Sequence, residues 1–201
     1  MQVLFVCTGN LCRSPVAERL AAAWAREALG DSPELAQVEL LSAGVAAEVG
    51  QPITASSARV LRQLGGDPEG FGSRPLTAEL ADSADLVLTM TREHRRDVLK
   101  LAPRGLRRTF TLTEAADLVT RADLRGLRTM PLTPRARELG RRLDAVRAYR
   151  SPAASDDITD PIRQRPAVHE EAARTIAAAL RPLADILFTS VRDQPALRVP
   201  A

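Results

Sequence analysis

The 201-residue chain is poor in cysteine, histidine and aromatic residues. Two cysteines exclude a secreted disulfide scaffold, and two isolated histidines, His94 and His169, disfavour a metal site. Aromatics make up 3%, too few for the stacking platforms of nucleic-acid binding. Lysine occurs once, at Lys100; the other basic residues are arginines, and 25 acidic residues interleaved with them leave a net charge of +3. That balance describes a solvated surface rather than a nucleic-acid-binding face. No apolar run approaches the ~20 residues of a membrane span, and MQVLFVCTGN lacks the basic start and long apolar core of a signal peptide. These absences predict a cytoplasmic protein with no membrane insertion, no nucleic-acid partner and no metal.

What is present reads as one domain. QVLFV (2–6) is an apolar run too continuous for a half-exposed strand and suits a central parallel one. Further strands are expected at 38–42, 85–90 and 107–112. Helical patterns begin after Ser14-Pro15 and cover 54–64, a short stretch from Thr77, 91–101 and 114–119, with a final amphipathic helix from Ala167 to about Phe188. The alternation predicts an α/β fold: an open, doubly wound, four-stranded parallel sheet with helices on both faces. Residues 120–156 differ, being arginine-rich with a helical pattern from Arg135 to Tyr149. The expected organisation is a single domain over 1–189 with a partly helical insertion at about 120–156, then a C-terminal tail at 190–201.

The strongest chemical signal is strand, tight polar loop, helix: VLFV, CTGNLCR, SPVAE. In such sheets ligands sit beyond the carboxyl ends of strands, where a following helix presents free N–H groups. Small residues there can turn several amides toward one anion, and Gly9 and Asn10 tolerate the left-handed angles this requires. Cys7 stands at the strand end and Arg13 six residues on, so sulfur can floor the loop while a guanidinium fork closes its rim. The helix N-terminus and Arg13 both favour anionic sulfur, which makes Cys7 a candidate nucleophile, with Ser14 able to donate to it. Taken alone, such a cysteine is as readily a buried structural residue.

VLFVCTGNLCRSPVAE resembles the signature of the low-molecular-weight protein tyrosine phosphatases, and LLSAG (40–44), ADLVLTM (84–90) and Asp160-Pro161 follow in the family's order. The resemblance covers most of the chain, with 120–156 the part that matches poorly. It implies a phosphoric monoester hydrolase in which Cys7 attacks phosphorus and forms a cysteinyl-phosphate. Thr8, Gly9, Asn10, Leu11, Cys12, Arg13 and Ser14 would bind the phosphate, and Asn10 and Ser42 would support the loop. Asp160, picked from Asp156, Asp157 and Asp160 because it precedes a proline, would be the general acid, though Asp-Pro also marks plain turns. Cys12 would be a redox partner for Cys7. No cofactor or metal is implied. The expected partner is a phosphorylated protein, such as a bacterial tyrosine kinase of polysaccharide synthesis.

Two departures bear on substrate. The residue after Asp160-Pro161 is Ile162, and the wall after SAG reads VAAEVG, so both positions that carry rings in many members are aliphatic here. Loss of the rings weakens the case for strict phosphotyrosine selectivity. Two other functions fit the same pocket: arsenate reduction with an external low-molecular-weight thiol, and non-catalytic oxyanion binding. A thioredoxin-coupled reductase does not fit, since no cysteine follows Cys12.

Overall fold

Four short strands, β1 (Gln2–Cys7), β2 (Glu39–Gly44), β3 (Leu86–Thr89) and β4 (Thr109–Thr111), pair in parallel in the order β2-β1-β3-β4 in a computed structural model that describes residues 1–189. The expected tail at 190–201 lies outside the described residues. β1 is central, as its continuous apolar run requires: Val3, Phe5 and Cys7 face one layer, Leu4 and Val6 the other. Helices α1 (Arg13–Leu29), α2 (Ala55–Gln63), α5 (Leu112–Val119) and α7 (Pro166–Leu187) cover the first face, and α3 (Ala78–Ser83) and α4 (Arg92–Leu101) the second. The sheet is therefore doubly wound, with the chain leaving β1 in one direction to β2 and later returning to its other side as β3. Ligand crevices in open sheets form at that reversal, so the loops after β1 and β3 open toward the same place.

Local chemistry sets the element ends. Thr77, Thr91 and Thr111 cap α3, α4 and α5 by accepting the amides of Leu80, His94 and Glu114, and Thr111 with Glu114 completes a capping box. α1 differs: its cap position is Cys12, with no side-chain cap. Ser14, whose hydroxyl suits a cap in the sequence, lies inside the first turn and spends that hydroxyl elsewhere. β4 is shorter than the expected 107–112 because a 3-10 turn beginning at Pro103 runs to Arg108.

Within 120–156, α6 (Leu132–Arg147) buries Leu132, Ala136, Leu139 and Leu143 in the same core as α5 and α7. Arg135, on that buried face, is fully enclosed. Its guanidinium donates to the carbonyls of Arg128, Met130, Leu187 and Thr189 at 2.6–3.0 Å, tying α6 to the end of α7. Among the described residues no helix is long and apolar enough to cross a membrane.

Candidate active site

Residues 8–12 form the turn between β1 and α1. Asn10, at φ 55°, takes the left-handed conformation that asparagine tolerates, and its side chain holds the turn through both amide hydrogens and its oxygen. Its Nδ2 donates to Ser14 Oγ at 2.9 Å and to Ser42 Oγ at 2.8 Å, while its Oδ1 accepts the Arg74 amide at 2.9 Å. Ser42 then donates to Glu18 Oε2 at 2.5 Å. Burial pushes the Glu18 carboxyl up from its ordinary value, and the Ser42 bond opposes that rise. Gly44 closes the wall: a Cβ there would stand 2.5 Å from the Thr8 carbonyl oxygen and 2.8 Å from the Asn10 nitrogen. SAG (42–44) is thus the surface against which the loop is seated. Among the described residues, no acceptor pairs with the amides of Thr8, Gly9, Asn10, Leu11 or Cys12, so the turn carries a set of unspent donors at a helix N-terminus.

The Cys7 sulfur lies 2.9 Å from Ser14 Oγ. Ser14 already accepts from Asn10, and its other acceptor, the Ala43 carbonyl, is farther away at 3.4 Å, so its proton is best placed on sulfur. Arg13, 4% exposed, donates through Nη1 to the Ile158 carbonyl at 3.0 Å and through Nη2 to Asp160 Oδ2 at 2.6 Å and Thr8 Oγ1 at 3.3 Å. Its Nε is buried without an acceptor among the described residues, as are those of Arg19 and Arg108.

The three aspartates of DDITDP separate into different tasks. Asp157 takes Arg92 through two guanidinium bonds at 2.7 and 3.1 Å and the Arg92 amide at 2.7 Å, which hold its carboxyl below the ordinary value. Asp156, 3% exposed, is gripped by both terminal nitrogens of Arg150 and the Ala153 amide; burial works against ionisation, but these bonds prevail and its pKa is lowered. Asp160 alone reaches Arg13, with Oδ1 accepting the Ile162 amide at 3.1 Å. Ile158 pairs with the Met90 carbonyl, fastening this segment beside β3.

Both histidines, isolated in the sequence, have partners in the fold. His94 bridges Thr8 and Thr91; burial and the nearby Arg13 depress its pKa to about 4. His169 Nδ1 lies 2.8 Å from Ser57 Oγ. Cys12 lies 3.3 Å from Thr54 Oγ1, and burial raises its thiol pKa. Both cysteines are free and buried. Thr91, His94 and Arg150 carry no motif that singles them out in the sequence, and Glu18, though it closes the signature VLFVCTGNLCRSPVAE, has no role that the sequence assigns. Tyr149, at the end of the expected helical pattern, is 82% exposed. Among the described residues no group of three His, Cys, Asp or Glu side chains could hold a metal.

A cysteine at the end of a central parallel strand, a turn of free amides and an arginine at the following helix N-terminus together define a phosphate-loop protein of the cysteine type. A family profile described as low molecular weight phosphotyrosine protein phosphatase matches residues 2–125. The chain belongs to that family. It is 42% identical over 101 residues to the low molecular weight protein-tyrosine-phosphatase Etp of Escherichia coli strain K12, covering 50% of this chain and 62% of Etp's own length. It is 40% identical over 115 residues to a protein-arginine-phosphatase of Bacillus subtilis strain 168, covering 57% of this chain and 71% of the relative. Among solved structures, a YwlE arginine phosphatase mutant with a phosphorylated active-site serine superposes with a TM-score of 0.67 at 30% identity, over 96% of this chain and 99% of the other.

Proposed function

We propose that the protein is a cysteine-dependent phosphatase that removes a phosphoryl group from a side chain of a phosphorylated protein. The observation that carries this reading is the convergence of Cys7, Arg13 and Asp160 on one loop, with Arg13 Nη2 2.6 Å from the Asp160 carboxylate. In the first step the Cys7 thiolate attacks phosphorus and the bond to the leaving oxygen breaks, while Asp160 delivers a proton to that oxygen. Arg13 and the free amides of residues 8–12 hold the phosphoryl oxygens as charge develops on them, which is usually the largest catalytic contribution. In the second step Asp160 takes a proton from water, whose oxygen attacks phosphorus and returns the thiolate. Ser14 stabilises that thiolate in both steps. The phosphorylated serine of the YwlE variant supports a covalent intermediate at this position.

Phosphotyrosine is the first substrate, following the family and the Etp relative. The phosphorylated partner that fits this reading is a bacterial tyrosine kinase of polysaccharide synthesis, as the resemblance to bacterial members of the family suggests. Phosphoarginine is the second, since relatives in Bacillus subtilis and Geobacillus stearothermophilus are protein-arginine-phosphatases. The rim favours neither by stacking: Ile162, whose amide bonds Asp160, stands exposed where a ring would otherwise contribute about 0.5–1.5 kcal/mol. Comparing kcat/KM on one peptide carrying phosphotyrosine, phosphoarginine or phosphoserine tests the order. A preference of tenfold or more for phosphotyrosine is expected; a reversed preference for phosphoarginine would replace it, and no turnover of any would leave only oxyanion binding.

A further inference from the structure

The chemistry described above leaves one buried polar chain unused. The loops after β1 and β3 meet at the sheet's reversal point, and there His94 spans from Thr91 to Thr8. Its Nδ1 lies 2.9 Å from Thr91 Oγ1 and its Nε2 2.9 Å from Thr8 Oγ1, with the ring 5% exposed. With its pKa depressed to about 4, the ring is neutral near pH 7 and carries a single N–H.

The position of that hydrogen follows from counting partners. Thr91 Oγ1 already accepts the His94 amide at 3.2 Å as the cap of α4. If Nδ1 held the hydrogen, Thr91 would accept twice and its own proton would have no acceptor among the described residues. Thr8 would then turn its proton back onto Nε2. If Nε2 holds it, Thr91 donates to Nδ1, Nε2–H donates to Thr8, and every group of the chain is paired except the Thr8 proton. Each form leaves one hydroxyl proton unpaired; Nε2–H is assigned because the proton it leaves belongs to exposed Thr8, open to water or an anion, rather than to half-buried Thr91. Thr8 Oγ1 also accepts from Arg13 Nη2 at 3.3 Å, so two donors occupy its lone pairs. Its proton must point away from both, and Thr8 is an exposed residue directly after Cys7.

Resting on the phosphatase reading above, we propose that the Thr8 hydroxyl donates a hydrogen bond to the phosphoryl oxygen that Arg13 Nη2 holds, and that His94 is the positioning residue that aims it. The loop thereby gains a side-chain donor beyond its backbone amides, oriented before substrate arrives. A role for His94 confined to the α4 cap would leave the Thr8 proton without consequence.

The test uses an aryl phosphate as substrate and inorganic phosphate as competitive inhibitor at pH 7, on variants shown to be folded by circular dichroism. A hydrogen bond to a charged group is worth enough to be felt as roughly ten- to a hundredfold, so Thr8→Val is expected to weaken phosphate inhibition and kcat/KM by about tenfold or more. Thr8→Ser keeps both within about threefold of wild type. His94→Phe lowers both alone but costs nothing further in the Thr8→Val background, because the ring acts through that hydroxyl. His94→Gln, whose amide can donate to Thr8, recovers part of the loss and stands in if His94→Phe fails to fold. Unchanged phosphate inhibition in Thr8→Val, or losses that simply add in the double variant, would overturn the proposal. A wild-type protein without turnover would instead defeat the phosphatase reading, and phosphate binding by calorimetry in wild type and Thr8→Val would still decide the role of Thr8.

Discussion

Asp160 Oδ2 stands 2.6 Å from Arg13 Nη2, so the proposed acid and the proposed anion-binding cation are partners of one another. Arg13 is 4% exposed and Asp160 39%, so the pair sits at the mouth of a buried site rather than free in solvent. A phosphoryl dianion entering the loop competes with the carboxylate for the same guanidinium nitrogen. In the proposed mechanism, binding would thus free Asp160 to face the leaving oxygen.

That competition predicts opposite signs for two measurements on one variant. Asp160→Asn lowers kcat on phenyl phosphate by about 10²–10⁴, the usual worth of a general acid, and by much less on a nitrophenyl ester whose oxygen leaves unaided. The same variant binds vanadate more tightly than wild type, because the competing negative charge has gone. Weaker vanadate binding together with an unchanged rate would contradict both roles.

Asn10 is the keystone of the turn, bonded to Ser14, Ser42 and the Arg74 amide. Asn10→Ala leaves these buried groups short of partners at about 1–3 kcal/mol each where water cannot reach them. It is expected to lower stability by about 3 kcal/mol or more in urea unfolding and to reduce turnover more than it changes substrate affinity. Gly44→Ala, whose Cβ would press on the Thr8 carbonyl and the Asn10 nitrogen, produces a similar loss of turnover.

Much of this was legible in the chain. Apolar runs bounded by glycine, proline and threonine located the four strands, and CTGNLCRSP located the loop, because strand, turn and cap chemistry are local. Ser14 was read in two ways: the cap that its place before Pro15 suits is not made, whereas the expected donation to the Cys7 sulfur is matched by a 2.9 Å contact. His94 and Arg150 were invisible because their partners lie on other elements: Thr8 is 86 residues from His94, and Asp117 is 33 from Arg150. The separation of Asp156 and Asp157 from Asp160 likewise depends on which arginine each meets.

Arg150 connects the poorly matched segment to the chemistry. Its guanidinium joins Asp117 on α5 to Asp156, four residues before Asp160. Arg150→Met leaves the buried Asp156 without its charge partner, a change that typically costs 3–5 kcal/mol. The rate on esters with poor leaving groups is expected to fall more than the rate on nitrophenyl phosphate, because the acid is displaced. Arg150→Lys restores little, since an ammonium cannot reproduce the forked contact. Equal losses on both esters would show that the brace serves stability alone.

The depressed pKa of His94 gives stability a pH dependence of known sign. The folded ring refuses a proton down to about pH 4, whereas the unfolded ring accepts it near 6.5. Stability is unaffected above pH 6.5, falls as pH drops toward 4, and loses on the order of 3 kcal/mol across that window. His169, also depressed by burial, acts in the same direction. Urea unfolding at pH 7 and pH 4.5 should show a smaller decline for His94→Gln than for wild type. Parallel declines would mean that His94 is not held neutral.

Cys12 is the proposed redox partner of Cys7. Peroxide oxidises a thiolate to a sulfenic acid, which a second thiol converts to a disulfide and so spares from further oxidation. Wild type should recover activity with dithiothreitol after peroxide, and Cys12→Ser should recover far less. Equal recovery removes the role.

The central claim is that phosphorus passes through the sulfur of Cys7. Rapid acid quench of the wild-type protein with an aryl phosphate, followed by peptide mass spectrometry, tests it most directly. One phosphoryl group on the peptide containing Cys7 is expected within the first turnover, with Cys7→Ser showing no steady turnover. Undiminished hydrolysis by Cys7→Ser would contradict the account.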